Sequence, residues 1–327
     1  MLKRAMSVET LSRLVAKDME AVNAHILESC KSYVELIPTI SEHLIAAGGK
    51  RLRPMLTLAS AHLCEHKGNR HINLAAAVEF MHTATLLHDD VVDGSDKRRG
   101  MATANFIWGN KASVLVGDYL LGKAFQMMVA DGSLDVLRIL SDAAAHIAEG
   151  EVLQLSITKN INTSYEQYIE VVQAKTAELF AAACEVGGAI EERNQKELRA
   201  FGDNFGIAFQ IIDDALDYSA NPEKFGKTIG DDFREGKVTL PVIYAYEAAN
   251  AEGKKFWQQI IEGGGNDSDG ALVKASAMIK DSGAFEASVA KAREYAEKAK
   301  ASLSGFKESE IKSALIDIVD FCVNREF

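Results

Sequence analysis

The chain has 327 residues and a formal net charge of −11, with 47% hydrophobic and 25% charged residues. This length allows one large domain or two moderate ones, with a sizeable buried core. The negative charge argues against nucleic acid as a partner and against binding to a general anionic membrane surface. Only four prolines, together with abundant Ala, Leu, Glu and Lys, favour an all-helical chain.

The cysteines are widely scattered along the chain. Their spacing fits neither a zinc motif nor a disulfide framework, and it is typical of single thiols in a reducing compartment. The first residues lack the apolar core of a signal peptide, and no apolar run is long enough to span a bilayer. We therefore expect a cytoplasmic protein. The cysteines are Cys30, Cys64, Cys184 and Cys322.

Hydrophobic residues recur with helical spacing along the chain, which predicts a succession of amphipathic helices. The first is expected over residues 8–28, and the second ends at Gly48 and Gly49. Pro54 opens the third, at a position where its missing N–H costs nothing. Further helices are expected over residues 72–93, 112–130, 133–156, 164–175, 178–190, 195–218, 240–251, 254–261, 271–282, 285–302 and 309–324.

The connections between these helices indicate a single domain. Ser164 and Gln167 form a predicted capping box at a helix start. Residues 221–237 form a loop rich in Gly, Lys and Asp. The segment 263–269 is a flexible connection and not a domain linker, because the helices after it are too few for a separate core. With no alternating strand pattern, we predict one all-α domain over residues 1–327, of about a dozen helices.

The helix expected over residues 72–93 ends in three carboxylates, Asp89, Asp90 and Asp93. Asp89 and Asp93 are one turn apart on the same helix face, whereas Asp90 points about 100° away. Two stacked carboxylates repel each other, and a divalent cation removes that repulsion. Their hard oxygen ligands suit Mg²⁺ shared with a substrate phosphate. On its own, a single DDxxD motif is more typical of a solvated acidic helix end.

The same motif appears a second time, as Asp213, Asp214 and Asp217, again after an apolar helical run. Carboxylates at the ends of buried helices are costly unless they are paired or bound to metal. The helix dipole also disfavours negative charge at a C-terminal end. The repetition therefore indicates a two-sided metal site and not surface decoration.

Basic residues gather in four clusters, and two of these directly follow the aspartate motifs. Each cluster alone would be typical of a solvated loop. Beside the motifs, however, Lys and Arg can bind the phosphate oxygens that a metal ion leaves open. His82 lies two turns before Asp89 on the same helix face, where a core histidine and a substrate contact both remain open. The clusters are Lys50 with Arg53, Arg98 with Arg99, Lys175 with Thr176 in an interrupted helical pattern, and the segment 226–237 with Lys227 and Lys237.

Taken together, these motifs resemble those of the trans-polyprenyl diphosphate synthases. The likeness runs in order from about residue 45 to residue 240 and includes Gly49-Lys50-Arg51-Leu52-Arg53-Pro54, Arg98-Arg99-Gly100 and Phe209-Gln210-Ile211-Ile212-Asp213-Asp214. The resemblance implies the all-α isoprenoid synthase fold around a central cavity, and a homodimer.

The resemblance also implies roles for individual residues. Three Mg²⁺ ions would hold an allylic diphosphate, two of them on Asp89 and Asp93 and the third on Asp213 with Asp217 nearby. Isopentenyl diphosphate would be bound by Lys50, Arg53, His82 and Arg99. The allylic substrate would be bound by Arg98, Lys175, Thr176, Gln210, Lys227 and Lys237. The catalytic group would comprise Asp89, Asp90, Asp93, Arg98, Lys175, Gln210, Asp213 and Asp214.

Product length is expected to depend on the residues just before the first motif. Short-chain members of the family carry bulky aromatic residues where this chain has Ala84 and Thr85. Met81 lies deeper, and Phe125, Met127 and Met128 are candidates for the floor of the cavity, although each is equally typical of an ordinary core. The whole run from His82 to Asp93 resembles the long-chain synthases that make quinone side chains. We therefore predict an octaprenyl to decaprenyl product, whose insolubility suggests transient membrane contact for release.

Competing interpretations differ from this one at the aspartate motifs. A short-chain farnesyl or geranylgeranyl synthase would share all of them. Terpene cyclases usually replace the second motif with an Asn/Ser/Glu pattern, whereas Asp213, Asp214 and Asp217 are intact. A non-catalytic subunit of a heteromeric synthase would be expected to lose some Asp or Arg residues. A calcium-binding EF-hand is excluded by the spacing.

Overall fold

The structure is a computed structural model that describes residues 2–46, 48–98, 100–218, 230–264 and 269–324. These residues are almost entirely helical, which confirms the all-α prediction. None of the described helices combines the length and apolar character that crossing a bilayer requires. The helices are α1 (Leu2–Leu14), α2 (Ala16–Ser29), α3 (Leu36–Ala46), α4 (Leu52–Leu63), α5 (Arg70–Val92), α6 (Ala104–Trp108), α7 (Asn110–Asp131), α8 (Leu134–Ile157), α9 (Tyr165–Val172), α10 (Glu178–Ala189), α11 (Gln195–Leu216), α12 (Asp231–Glu235), α13 (Leu240–Ala248), α14 (Ala251–Ile261), α15 (Asp269–Asp281), α16 (Ala284–Ser302) and α17 (Glu310–Val323).

Four short elements of the described residues were not predicted from the sequence. Strands β1 (Lys97–Arg98) and β2 (Met101–Ala102) pair antiparallel, and they are too short to show alternation. Helices α6 and α12 have five residues each, which is below the length that helical periodicity detects. Gly230 and Gly236 flank α12 with φ of 79° and 75°, in the left-handed region that favours glycine.

The first predicted helix is divided into α1 and α2 at Val15. The Val15 N–H still donates to Leu11 O at 3.1 Å, and the Met19 N–H donates to Val15 O at 2.9 Å. Leu11, Val15 and Met19 are all buried, one turn apart. The apolar stripe therefore continues through the break, which is why periodicity predicted one helix.

Two local predictions between α8 and α10 are confirmed. Ser164 Oγ accepts a bond from the Gln167 N–H at 3.3 Å, and Gln167 Oε1 accepts one from the Ser164 N–H at 3.0 Å, which completes the capping box. The interruption predicted at Lys175 is a π-helical segment, Gln173–Ala177, between α9 and α10. Single π turns of this kind are frequent at functional sites.

The described residues form two compact units, each built from separate chain segments. In the first unit, α5 packs against α2, α4 and α7, and Leu56, Leu74 and Leu87 are fully buried. A Cβ on Gly187 would lie 2.8 Å from Thr57 O, so only glycine allows this close approach to α4. The segments of this unit are Met1–Ala144, Leu179–Gly202 and Ser302–Ile318.

The second unit has its own core, with Phe205, Ile212 and Trp257 almost completely buried. Its segments are Ala145–Glu178, Asp203–Ala301 and Val319–Phe327. A Cβ on Gly150 of α8 would lie 2.8 Å from Lys175 N, so α8 runs against the π-helical segment with no room for a side chain. The single domain over residues 1–327 stays a prediction.

Candidate active site

The first aspartate motif lies at the end of α5, where the three carboxylates differ in exposure. Asp90 is only 1% exposed, whereas Asp89 and Asp93 are half-buried. Arg98 Nε donates a 2.8 Å hydrogen bond to Asp90 Oδ1. Burial raises the pKa of Asp90, and the Arg98 guanidinium opposes that rise. Asp90 is thus held inside the unit, while Asp89 and Asp93 keep contact with solvent.

The residues after α5 hold Arg98 beside Asp90. Thr103 Oγ1 donates to Ser95 O at 2.7 Å, and Asn105 Nδ2 donates to the carbonyl oxygens of Asp90 and Ser95 at 3.1 Å. These bonds attach the β1–β2 ribbon and α6 to the end of α5. A guanidinium carries five donors, so the bond from Nε leaves its terminal nitrogens able to serve a phosphate.

Two predicted isopentenyl diphosphate residues, Arg53 and His82, lie together. Arg53 Nη1 is 3.3 Å from His82 Nε2, and the guanidinium lies 4.1 Å from the centre of the Phe180 ring. Because Arg only donates, this bond requires a neutral His82 with its proton on Nδ1. Cation–π contact with Phe180 further fixes the guanidinium. Lys50, the third predicted residue, is exposed before α4.

A second ion pair, which the sequence did not indicate, lies beside these residues. Arg51 Nη1 is 2.5 Å from Glu79 Oε1, and Glu79 is 8% exposed. Arg51 also has a left-handed backbone, with φ of 49°, at the start of α4. The start of α4, with Lys50 just before it and Arg53 in its first turn, is therefore attached to α5 through the ion pair of Arg51 with Glu79.

The second aspartate motif lies at the end of α11, and its middle residue is again buried. Asp214 is 3% exposed, whereas Asp213 is half-buried. Tyr168 Oη donates to Asp214 Oδ2 at 2.6 Å, and Gln210 Nε2 donates to Asp214 Oδ1 at 2.7 Å. Burial, with a further contribution from Asp232, raises the pKa of Asp214 to about 7.

The last residue of this motif, Asp217, holds the start of α12. Asp217 Oδ1 accepts from the N–H groups of Gly230 at 3.1 Å and Asp231 at 3.3 Å, and Oδ2 accepts from Asp232 at 3.1 Å. A carboxylate at a helix N-terminus satisfies these otherwise unpaired donors. Asp217 is thus engaged by backbone donors, and its role as a metal ligand stays a prediction.

A cavity that opens to solvent lies beside the second motif. Five of the predicted substrate and catalytic residues line it. Thr176 Oγ1 donates to Gln210 Oε1 at 2.9 Å, so Thr176, Gln210 and Asp214 form one chain of hydrogen bonds. The five predicted residues in its wall are Lys175, Thr176, Gln210, Asp214 and Lys237.

Each lysine of this cavity is paired with a carboxylate. Lys175 Nζ is 2.5 Å from Glu151 Oε1, because Gly150 lets α8 approach the π-helical segment. Lys237 Nζ contacts Glu235 and lies 3.9 Å from Asp232 Oδ1. These pairs orient the two ammonium groups, each of which carries three donors.

Several residues of the site were missed by the sequence analysis. Asp232 lies within the loop over residues 221–237. The adjacent carboxylates of Asp231 and Asp232, next to Gly230, were therefore visible in the sequence as a possible part of the site. Tyr168 lies 46 positions before Asp214, and no local pattern connects them. The same holds for Glu79 and Glu151. Two predicted residues, Arg99 and Lys227, lie outside the described residues.

The predicted chain-length residues precede the first motif on α5. Met81 and Ala84 are each 1% exposed, and Thr85 is half-buried with its hydroxyl donating to His82 O at 2.8 Å. On α7, Met127 and Met128 are buried, whereas Phe125 is 36% exposed. Their roles in chain length stay predictions.

The carboxylates of both motifs fit a hard divalent cation. Asp89 and Asp93 are half-buried and one turn apart, and Asp213 is half-buried beside a buried partner. Carboxylate oxygens are the ligands that Mg²⁺ and Ca²⁺ prefer in proteins. The donor set therefore suits the metal that the sequence predicts.

Comparisons with known proteins identify relatives of this chain. A family model described as polyprenyl synthetase matches residues 34–279. The chain is similar to the octaprenyl diphosphate synthase of Escherichia coli, with 43% identity over 98% of this chain and 100% of that one. It is also similar to the crystal structure of a decaprenyl diphosphate synthase from Rhodobacter capsulatus, with a TM-score of 0.93, 47% identity, and coverage of 98% and 100%. The structure of a polyprenyl synthase from Caulobacter crescentus, complexed with calcium and isoprenyl diphosphate, has a TM-score of 0.94, 48% identity, and coverage of 97% and 98%.

Proposed function

Because the chain belongs to the polyprenyl synthetase family and is a prenyltransferase, we propose that it is a long-chain trans-polyprenyl diphosphate synthase. It condenses isopentenyl diphosphate repeatedly onto an allylic diphosphate such as farnesyl diphosphate. The observation that carries this proposal is the 43% identity, over nearly the whole chain, with an octaprenyl diphosphate synthase. The two intact aspartate motifs support a catalytic protein over a non-catalytic subunit.

In this proposal, isopentenyl diphosphate binds at the start of α4. The Arg53 guanidinium is fixed by the His82 ring and by the face of Phe180, so it meets an incoming diphosphate with little loss of side-chain freedom. Arg–phosphate pairing is frequently bidentate, which also orients the bound group. The residues proposed to bind this substrate are Lys50, Arg53, His82 and Arg99.

The allylic diphosphate binds at the cavity beside the second motif. Lys175 and Lys237 supply positive charge, and the bonds from Thr176 and to Asp214 fix both ends of the Gln210 amide. The fixed amide oxygen and the carbonyls of the π-helical segment face the allylic cation that forms when the C–O bond breaks. The residues proposed to bind this substrate are Arg98, Lys175, Thr176, Gln210, Lys227 and Lys237.

The reaction requires stabilisation of a leaving diphosphate, and the aspartates hold the metal that supplies it. We assign Mg²⁺, three ions per active site, to Asp89, Asp93 and Asp213, with Asp217 near the third. Bound Mg²⁺ neutralises the charge that develops on the leaving group. The buried Asp90 and Asp214 keep Arg98 and Gln210 in place for the same step.

The proposed product is octaprenyl to decaprenyl diphosphate, for a quinone side chain as in ubiquinone biosynthesis. Ala84 is small and buried, and Met81 lies one turn deeper, so α5 carries no aromatic side chain at the positions where short-chain members of the family have one. We further propose a cytoplasmic homodimer that contacts a membrane transiently to release this insoluble product. The alternative is a short-chain synthase that makes farnesyl or geranylgeranyl diphosphate.

The test incubates purified protein with Mg²⁺, labelled isopentenyl diphosphate and farnesyl diphosphate, and sizes the product after dephosphorylation. We expect octaprenyl to decaprenyl products. A product that stops at geranylgeranyl length supports the short-chain alternative, and no incorporation contradicts the proposed activity. Asp89→Ala and Asp213→Ala should each abolish most turnover, whereas Asp118→Ala, on the exposed side of α7, serves as the matched control.

A further inference from the structure

A cluster of histidines and one aspartate lies in the first unit, in residues that the proposed reaction does not use. Asp18 comes from α2, His62 from the last turn of α4, and His71 from the first turn of α5. Their ligand atoms all lie within 4.8 Å of one another. His62 Nε2 is 2.7 Å from Asp18 Oδ2, and His71 Nε2 is 3.2 Å from the same oxygen.

His71 carries an independent sign of a missing ligand. Its side chain is only 4% exposed, and among the described residues neither of its ring nitrogens has a hydrogen-bond partner. The 3.2 Å contact with Asp18 is thus misaligned for a hydrogen bond. Buried imidazole nitrogens are ordinarily satisfied, and leaving one unpaired costs about 1–3 kcal/mol. A bound metal ion removes that cost.

The 3.2 Å between His71 Nε2 and Asp18 Oδ2 fits two ligands of a tetrahedral transition metal. Zn²⁺ with bonds of about 2.0–2.1 Å places neighbouring ligand atoms about 3.3 Å apart. Two imidazoles and one carboxylate form a donor set that Zn²⁺ accepts, whereas Mg²⁺ prefers oxygen ligands alone. Asp18 and His62 are 22% and 32% exposed, so a water molecule can complete the coordination from the solvent side.

The surroundings also suit a metal ligand at His71. The His66 ring lies edge-on to His71, with 5.0 Å between centroids, and His66 Nδ1 is 2.7 Å from Glu191 Oε1. His66 is thus engaged by Glu191, and among the described residues it gives no hydrogen bond to His71.

We propose that Asp18, His62 and His71 form a Zn²⁺ site, separate from the two aspartate motifs, that joins α2 to α4 and α5. The ion has a structural role: it replaces a hydrogen-bonded but incompletely satisfied cluster with three coordinate bonds. Because it binds the folded state and not the dispersed ligands of the unfolded chain, Zn²⁺ raises the melting temperature.

The test uses chelator-treated full-length protein in excess Mg²⁺, which occupies the oxygen sites, and titrates Co²⁺ as a coloured substitute for Zn²⁺. The wild type should bind one equivalent with the visible absorption of four-coordinate Co²⁺. His62→Gln keeps an amide donor for Asp18 but loses the metal ligand. It should weaken binding by at least about 10–100-fold, the loss typical even of outer-shell partners. His71→Asn should have the same effect.

The matched control is His25→Asn, which changes a part-buried histidine on α2 that bonds Asn73 and is not part of the cluster. It should bind Co²⁺ as the wild type does. Thermal melting with and without Zn²⁺ gives a second readout: the stabilisation should be present in the wild type and in His25→Asn but lost in His62→Gln. Equal Co²⁺ affinity and equal Zn²⁺ stabilisation in the wild type and His62→Gln would overturn the proposal, as would the absence of any Co²⁺ binding by the wild type.

Discussion

Asp90 and Asp214 hold the same position in the two aspartate motifs, and each is buried and hydrogen bonded. Asp90 accepts from Arg98, and Asp214 accepts from Tyr168 and Gln210. The residue before each of them is half-buried. The rotation of about 100° per residue along a helix explains this division, because it turns adjacent side chains toward different surroundings. The second aspartate of each motif thus contacts other side chains of the site, and the first is the proposed metal ligand.

Tyr168→Phe removes one of the two side-chain donors to Asp214 while preserving the packing of the ring. Hydrogen bonds to charged groups contribute about 1.5–3 kcal/mol, so at pH 8 the free energy of unfolding should fall by about that amount. Urea denaturation of this variant measures the loss. The control is Tyr119→Phe, on α7. Equal unfolding free energies for Tyr168→Phe and the wild type would show that Asp214 does not depend on the tyrosine.

Ala84→Phe places an aromatic ring at a buried position one turn before the first motif. The ring should block the growing chain, so the longest product should shorten to geranylgeranyl length or less, while the first condensation continues. Chromatography of the dephosphorylated products gives the length. Ala76→Phe, at another fully buried alanine of α5, tests whether overpacking alone has this effect. An unchanged product distribution in Ala84→Phe would show that the chain does not pass this side chain.

The long helices could be predicted from the sequence because each buries an apolar stripe with a regular period. The capping box at Ser164 and the interruption at Lys175 were also visible, since both depend on residues close in sequence. The helices α6 and α12 and the β ribbon were not, because they are held by individual contacts such as those from Asp217 to the start of α12. Periodicity predicts an element only when the element spans several of its own periods.

The same distinction applies to the site. Asp214 and Lys175 could be named from motif spacing, which a single sequence displays. Their partners could not, because Tyr168 and Glu151 reach them through tertiary packing, and packing is set by close approaches such as the one at Gly150. Sequence reasoning therefore recovered the groups proposed to touch substrate more completely than the groups that hold them.

Gly150→Ala tests the contact between α8 and the π-helical segment. The added methyl group would lie 2.8 Å from Lys175 N and from Ala174 Cβ, so one element must shift, and Lys175 must move relative to Glu151. We expect KM for the allylic diphosphate to rise several-fold, with a smaller change in KM for isopentenyl diphosphate. Steady-state kinetics with each substrate varied separately measures both.

Gly122→Ala is the matched control for this prediction. Gly122 also lies within a long helix, α7, but an added Cβ would meet nothing within 4 Å. This variant should retain the wild-type KM values and gain about 0.5–1 kcal/mol of stability from its better helix propensity. A Gly150→Ala enzyme with the kinetics of Gly122→Ala would contradict the proposed role of the close approach.

At the scale of the whole molecule, an acidic chain of net charge −11 must concentrate positive charge where it binds diphosphates. Several basic side chains near the proposed diphosphate sites are paired with carboxylates, so their positions are set before substrate arrives. Such pairs contribute little to stability at the surface, but they orient the donors. The pairs are Arg51 with Glu79, Arg98 with Asp90, Lys175 with Glu151 and Lys237 with Glu235.

The stability of the whole molecule should depend on pH through His71. Burial lowers the pKa of His71 in the folded protein below its unfolded value of 6.5, so the folded state binds fewer protons than the unfolded state as pH falls through that value. The stabilisation from neutral His71 is therefore complete above about pH 7 and is lost as the pH decreases toward the folded pKa.

In the presence of a chelator, the free energy of unfolding should be smaller at about pH 5.5 than at about pH 7.5. His71→Asn should reduce this difference, and His25→Asn should leave it unchanged. Urea denaturation at both pH values gives the difference in the free energy of unfolding for the wild type and for each of the two variants. An equal difference for the wild type and His71→Asn would assign the pH dependence to other groups.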